Sequence, residues 1–224
     1  MYNLSYFKAQ DDDELLKFLH RHPFAVLTGS FQSGRQVATQ VPILVDERED
    51  GWYLQGHIMR NTDHHKAFIE NPQVLALFTG PHTYVSASWY TNPQIGSTWN
   101  YMSVQVNGEI IFLPDEGLIK LMKKLTLHFE GQNHASPTIY DNLPANFLSK
   151  MLPLIVAFEI KVEELQNVFK LSQNRDEKSY RNIIGQLDQK EEKGNAAQVA
   201  DEMRSRLAQL FPPGVAWDGS WFLS

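Results

Sequence analysis

Six β-rich runs crowd into the first half of the chain: Phe24 to Thr28, Gln36 to Val45, Trp52 to Ile58, Val74 to Phe78, Tyr84 to Ser88 and Tyr101 to Phe112. Ser33-Gly34 and Glu49-Asp50-Gly51 separate them as turn signals. Parallel strands need long crossovers, usually helical, whereas antiparallel strands are joined by short turns. Just one short helical stretch, Asp63 to Glu70 ahead of Asn71-Pro72, interrupts these runs. The spacing therefore predicts an α+β chain built on a closed or half-closed antiparallel barrel, not a parallel α/β sheet.

Helices are expected around this barrel. Asp11-Asp12-Asp13-Glu14 opens one whose Leu15, Phe18, Leu19 and His22 share a face, and its acidic first turn complements the helix dipole before Pro23 ends it. Leu118, Leu121, Met122, Leu125 and Phe129 recur at helical spacing in a second. Residues Gly131 to Pro144 read as a loop, followed by strands near Leu154 to Val162 and Val168 to Leu171. From Arg175 to Arg206 seven basic residues balance seven acidic ones, the signature of a solvated helical pair, with a break near Lys193-Gly194-Asn195. The apolar tail from Phe211 to Leu223 is expected to dock on its own body or on a partner subunit. Residues 1–174 are thus predicted to form the barrel, and residues 175–224 a C-terminal helical extension packed on the barrel or on a dimer partner.

A chain of 224 residues buries enough surface to need no metal or disulfide staple. It has no cysteine, which excludes disulfides, thiolate catalysis and a zinc ribbon. The net charge of −6 argues against coating nucleic acid by charge alone. Met1 to Lys8 lacks the basic and apolar regions of a signal peptide, and the longest apolar run, Met151 to Phe158, is far short of the ~20 residues that span a bilayer. No membrane association and a cytoplasmic location are expected.

Three groups of residues are candidates for chemistry. Leu54 to Lys66 runs from a strand end into a helix start, where free backbone N–H groups, the fork of Arg60 and the charge of Lys66 suit a phosphate dianion. The alternative is that Arg60 and Lys66 are surface charges and Thr62 or Asp63 an ordinary N-cap. His57, His64, His65 and His82 match no tight metal spacing, and no carboxylate cluster accompanies them. Thr39, Gln40 and Pro42 form either one wall of a ligand pocket or an edge strand, because proline cannot donate to a ladder. Trp89, Tyr90, Trp99 and Tyr101, around Ser88 and Asn100, suit a pocket wall, a dimer interface or plain core. Lys170, Ser172, Gln173, Asn174 and Arg175 crowd donors at a strand end, which suits an anionic ligand or caps the next helix.

Taken together, Ala38-Thr39, Pro42, Gly56-His57, Arg60, Gly80-Pro81-His82, Ser88-Trp89-Tyr90, Thr98-Trp99-Asn100-Tyr101 and Lys170-Leu171-Ser172-Gln173-Asn174-Arg175 resemble the PaiB family of FMN-binding negative transcriptional regulators. Gln40 stands where the family usually has His. Asn61-Thr62-Asp63 replaces Ala-Asn-Pro, and Ala87 and Ser97 replace prolines. The resemblance implies a flavin-type split barrel that forms a homodimer, with FMN near the subunit interface. It implies repression of genes through DNA, contacted directly or through another protein. A flavin-dependent oxidoreductase or haem-handling enzyme of the same barrel is the rival. On this resemblance Arg60, Asn61 and Lys66 hold the FMN phosphate and Thr39, Gln40 and His57 approach the ring. Trp99, Asn100, Lys170, Ser172 and Gln173 then complete the pocket.

Overall fold

A computed structural model describes residues 2–190 and 194–214. The β-rich runs become β1 (Phe24–Ser30), β2 (Gln36–Pro42), β3 (Leu44–Arg48), β4 (Gly51–Met59), β5 (Gln73–Val85) and β6 (Thr98–Phe112). Further on come β7 (Ile155–Lys161) and β8 (Glu164–Lys170). They form an antiparallel sheet in the order β2-β1-β5-β6-β7-β4-β3, with β8 pairing β6.

The structure divides one expected run, fuses two others, and starts β6 and β8 three and four residues earlier than expected. The run Gln36 to Val45 is two strands, because Pro42 has no N–H to continue the ladder and the Ile43 N–H turns to the Pro23 carbonyl at 2.8 Å. Upstream of that break Val41 faces Ala25 of β1; downstream Leu44 faces Gln55 of β4. One proline thus passes the chain from one end of the strand order to the other. Conversely, Val74 to Phe78 and Tyr84 to Ser88 join into the single strand β5, which stays extended through Gly80-Pro81.

The helices are α1 (Asp12–Arg21), α2 (Asp63–Glu70), α3 (Asp115–Phe129), α4 (Ala145–Met151), α5 (Glu177–Asp188), α6 (Gly194–Ser205) and α7 (Leu207–Leu210). Asp11 and Glu14 both cap the start of α1: the Asp11 carboxylate accepts the Glu14 N–H at 2.8 Å, and the Glu14 carboxylate accepts the Gln10 N–H at 2.7 Å. The expected loop after α3 contains a 3-10 turn at Tyr140–Asn142 and leads into the unforeseen α4.

Two compact units are interleaved along the sequence. Unit A gathers Leu16–Phe78 and Gln105–Leu165; unit B gathers Met1–Leu15, Thr79–Val104 and Gln166–Ser224. In unit A, Leu118, Leu121 and Leu125 of α3 are buried with Leu44 and Ala157. Each such leucine stabilises the fold by roughly 1.5–3 kcal/mol. In unit B, α5 packs on α6 through Tyr180, Ile183 and Leu187 against Val199, Ala200 and Met203, and the Tyr180 hydroxyl donates to the Met203 carbonyl at 3.0 Å. Of the apolar tail, Phe211 meets Tyr180 edge-on with ring centroids 5.4 Å apart. Residues 215–223, on which the docking expectation chiefly rested, lie outside the described residues, as does Lys193 at the expected helix break.

Candidate functional site

The corner between β4 and α2 is held by its own side chains. Thr62 is the N-cap of α2: its Oγ1 accepts the His65 N–H at 3.4 Å and donates to the Met59 carbonyl at 2.9 Å. Asn61 takes a left-handed conformation, φ 63°, and donates its N–H to His65 Nδ1 at 3.0 Å. His65 is 8% exposed and packs edge-on against Phe112. Burial first, and the nearby positive charge of Arg60 second, hold its pKa below the ordinary value, so the ring is neutral and able to accept.

On one side of this corner lies a cavity of about 300 Å³, lined by Thr39, Gln40, Val41 and Pro42 of β2, by His57, Ile58 and Met59 of β4, and by Thr62, His64 and Ile155. The structure therefore brings Thr39, Gln40 and His57 together, as the sequence expectation required. His57 Nδ1 is buried without a hydrogen-bond partner. Desolvation lowers the His57 pKa, so the ring is neutral. A buried polar atom left unpaired costs about 1–3 kcal/mol, so the His57 ring sits beside the cavity at a cost to the flavin-free fold.

Arg60 faces elsewhere. Its backbone N–H donates to the Leu154 carbonyl at 2.8 Å, its Nε donates to the Ile155 carbonyl at 2.9 Å, and Nη2 lies 3.4 Å from the Asp115 carboxylate. It lines a second cavity of about 410 Å³ with Asp115, Leu118, Ile119, Leu152 and Pro153. Asn61 and Lys66 are exposed and line neither cavity.

The remaining candidates belong to unit B. Ser172 Oγ donates to Asn100 Oδ1 at 2.9 Å, while Asn100 Nδ2 points to Met203 Sδ. Gln173 bridges the Phe169 carbonyl and the Leu171 N–H. Asn100, Ser172 and Gln173 are thus buried and hydrogen-bonded within the protein, Gln173 to backbone and Asn100 to Ser172 and Met203. Lys170 donates to Thr98 Oγ1. Trp99 is 54% exposed and lies 6.2 Å from the rings of both His82 and Tyr84.

Sequence reasoning missed Met59 and Ile155 at the His57 cavity, and Asp115 beside Arg60. Period-two alternation from His57 would have given Met59. Ile155 comes from its pairing with Met59, nearly a hundred residues away in the chain, and local sequence carries no sign of that. Among the described residues no group of His, Asp and Glu is placed to hold a metal ion, and no helix is long and apolar enough to cross a membrane.

Residues 1–164 match the family described as "Putative FMN-binding domain". The chain belongs to this family. It is 35% identical over 209 residues to the protease synthase and sporulation protein PAI 2 of Bacillus subtilis, covering 92% of this chain and 98% of that protein, which places it with the PaiB proteins. Among solved structures it is similar to a flavocytochrome of Azotobacter vinelandii, with a TM-score of 0.55 and 16% identity over 75% of this chain and 72% of that one. A FAD and heme binding protein of Mycobacterium smegmatis gives a TM-score of 0.52 and 16% identity over 72% of each chain. At such identity the likeness is one of fold, the antiparallel split barrel. FMN is the cofactor of the family, and the His57 cavity suits its ring. Thr39 and Gln40 offer a hydroxyl and an amide, His57 offers an imidazole, and Val41, Ile58 and Ile155 offer apolar wall.

Proposed function

We propose that this chain is an FMN-binding negative regulator of transcription of the PaiB type, with the flavin ring seated at the His57 cavity. The observation that carries the reading is the cavity that His57, whose buried Nδ1 has no partner in the protein, lines together with Thr39 and Gln40. In this reading His57, Thr39 and Gln40 hydrogen-bond the polar edge of the ring, while Val41 and Ile155 cover it and exclude water. The phosphate is assigned to the corner carrying Arg60, Asn61 and Lys66. Arg60 reaches it by giving up the 3.4 Å contact with Asp115, an exposed pair of little worth. Asn100, Ser172 and Gln173 have partners within the protein and serve as framework, and Trp99 is left free to cover a ligand. Bound FMN supplies electron-transfer chemistry that needs no acid or base from the protein. The barrel of residues 1–174 carries the flavin, the helices of residues 175–224 extend it, and the protein acts as a cytoplasmic homodimer on DNA, directly or through another protein.

The test is a titration of the purified, flavin-stripped protein with FMN, followed by flavin fluorescence, for the natural sequence and for His57→Leu. Saturable binding that His57→Leu weakens at least tenfold supports the seat; equal affinity removes it. The regulatory role is read from salt-dependent, sequence-specific DNA binding by the loaded protein. Turnover of a reduced nicotinamide without any such DNA binding replaces the regulator with an oxidoreductase.

A further inference from the structure

The β4–α2 corner turns on one hydrogen bond that a proton destroys. Asn61 has φ 63°, a backbone conformation that a residue with a side chain holds only when its surroundings fix it. Its N–H donates to His65 Nδ1 at 3.0 Å, so this nitrogen is an acceptor and the ring is neutral, with its proton on Nε2. Asn61-Thr62-Asp63 replaces the family's Ala-Asn-Pro, and Asp63 is the first residue of α2. A proline at that position presets the helix start. Here side chains set it instead, Thr62 as the N-cap and His65 reaching back from the first turn.

The surroundings of His65 give a second proton no welcome. Phe112, at the end of β6, lies edge-on against the ring with centroids 4.9 Å apart, and the residue is buried. Burial first, then Arg60 from the end of β4 and His64 and Lys66 of α2, all oppose a positive charge on it. The acids of the region are engaged elsewhere: Asp63 pairs with Arg35 and His64, and Asp115, at the start of α3, pairs with Arg60. A protonated imidazole has two N–H groups and no acceptor. Its Nδ1–H faces the Asn61 N–H, donor against donor, and the left-handed corner loses what holds it.

We propose that His65 is a positioning residue for the flavin nucleotide and a proton-sensitive latch on its phosphate corner. Neutral, it holds Asn61, and with it the adjoining Arg60, in place; protonated, it lets the corner open and FMN leave. The latch rests on the assignment of the FMN phosphate to this corner. Because the pKa of His65 lies below its ordinary 6.5, the latch is closed at neutral pH and opens as pH falls beneath that value. Flavin occupancy thereby becomes sensitive to acidification.

The test has two arms. In the first, NMR of the isotope-labelled, flavin-free protein follows the His65 ring and the Asn61 amide from pH 8 to pH 5. Both should titrate with one midpoint, and the Asn61 protection factor against hydrogen exchange should fall at least about tenfold once the ring is protonated. An Asn61 amide indifferent to the His65 titration overturns the latch. In the second arm, FMN affinity is measured by flavin fluorescence at pH 7.5 and 5.5 for the natural sequence, His65→Asn and His65→Leu. Asparagine places a carbonyl oxygen near the position of Nδ1 and accepts at both pH values; leucine accepts at neither. At pH 7.5 His65→Asn should bind within about threefold of the natural sequence, and His65→Leu at least about fivefold more weakly. Between pH 7.5 and 5.5 the natural sequence should lose at least about fivefold more affinity than His65→Asn, since the titration of the phosphate itself is common to both and drops out of the comparison. Equal losses, or a smaller loss for the natural sequence, overturn the proposal. If His65→Leu fails to fold, the comparison with His65→Asn decides. Arg60→Ala separates the two readings: if it leaves FMN affinity unchanged, the phosphate assignment fails by itself, and the NMR arm still judges the latch.

Discussion

His57 is where one residue carries most of the meaning. In the flavin-free protein its buried, unpaired Nδ1 is a liability, and the proposed flavin seat turns the residue into a contact. His57→Leu should therefore raise flavin-free stability in urea by up to about 1 kcal/mol, because an apolar group of similar size removes an unpaired polar atom, while lowering FMN affinity. A stability loss instead would mean that the nitrogen is satisfied in solution. Asn61 makes the complementary case. Its left-handed backbone costs an ordinary residue roughly 1–2 kcal/mol, so Asn61→Ala should destabilise by about 1 kcal/mol and Asn61→Gly should stay close to neutral, both measured by urea unfolding.

At the scale of elements, the β4–α2 corner and the sheet pairing set the site. Gly108 of β6 shows how tightly strands meet. A Cβ there would come within 2.1 Å of the Lys161 carbonyl oxygen, a backbone atom that cannot swing away. Gly108→Ala should cost about 1–3 kcal/mol or prevent folding, read from the shift of the unfolding midpoint. Helix α3 holds the other cavity's wall: Leu118 is 1% exposed and packs with Leu44 and Ala157, so Leu118→Ala should cost about 2–5 kcal/mol. A cost under 1 kcal/mol would mean that α3 is not anchored there.

For the whole molecule, acid sensitivity follows from buried imidazoles. His57 and His65 both titrate below their ordinary 6.5 in the folded chain, mainly through desolvation. The unfolded chain therefore takes up protons as pH falls through about 6.5 while the native one resists. Stability should be constant down to pH 7 and decline between pH 6.5 and 5.5. Asp46 and Asp176, whose folded pKa values lie below 3.8, add stability that is lost only at lower pH still. Urea midpoints at pH 7.5 and 5.5 check this, and the double substitution His57→Gln with His65→Gln should shrink the difference. An undiminished loss would assign the acid sensitivity to other groups.

Local sequence sufficed for much of this protein. Runs of β-branched and aromatic residues, separated by turn residues, specify antiparallel strands because each is a property of a few neighbours. Thr62 as a cap and the buried stripe of α3 were legible for the same reason. So was the family, whose motifs place Thr39, Gln40 and His57 in strands. Tertiary structure decided what depends on partners distant in sequence. The Arg60 guanidinium turns to Ile155 and Asp115 because β7 arrives beside β4, and Ile155 reaches the His57 cavity by the same pairing. Asn100, Ser172 and Gln173 look like ligand donors until folding pairs Asn100 with Ser172 and Met203 and turns Gln173 onto the backbone of Phe169 and Leu171. A side chain's chemistry is written in its type, but whether that chemistry is spent on the protein or kept for a ligand depends on which distant groups the fold sets against it.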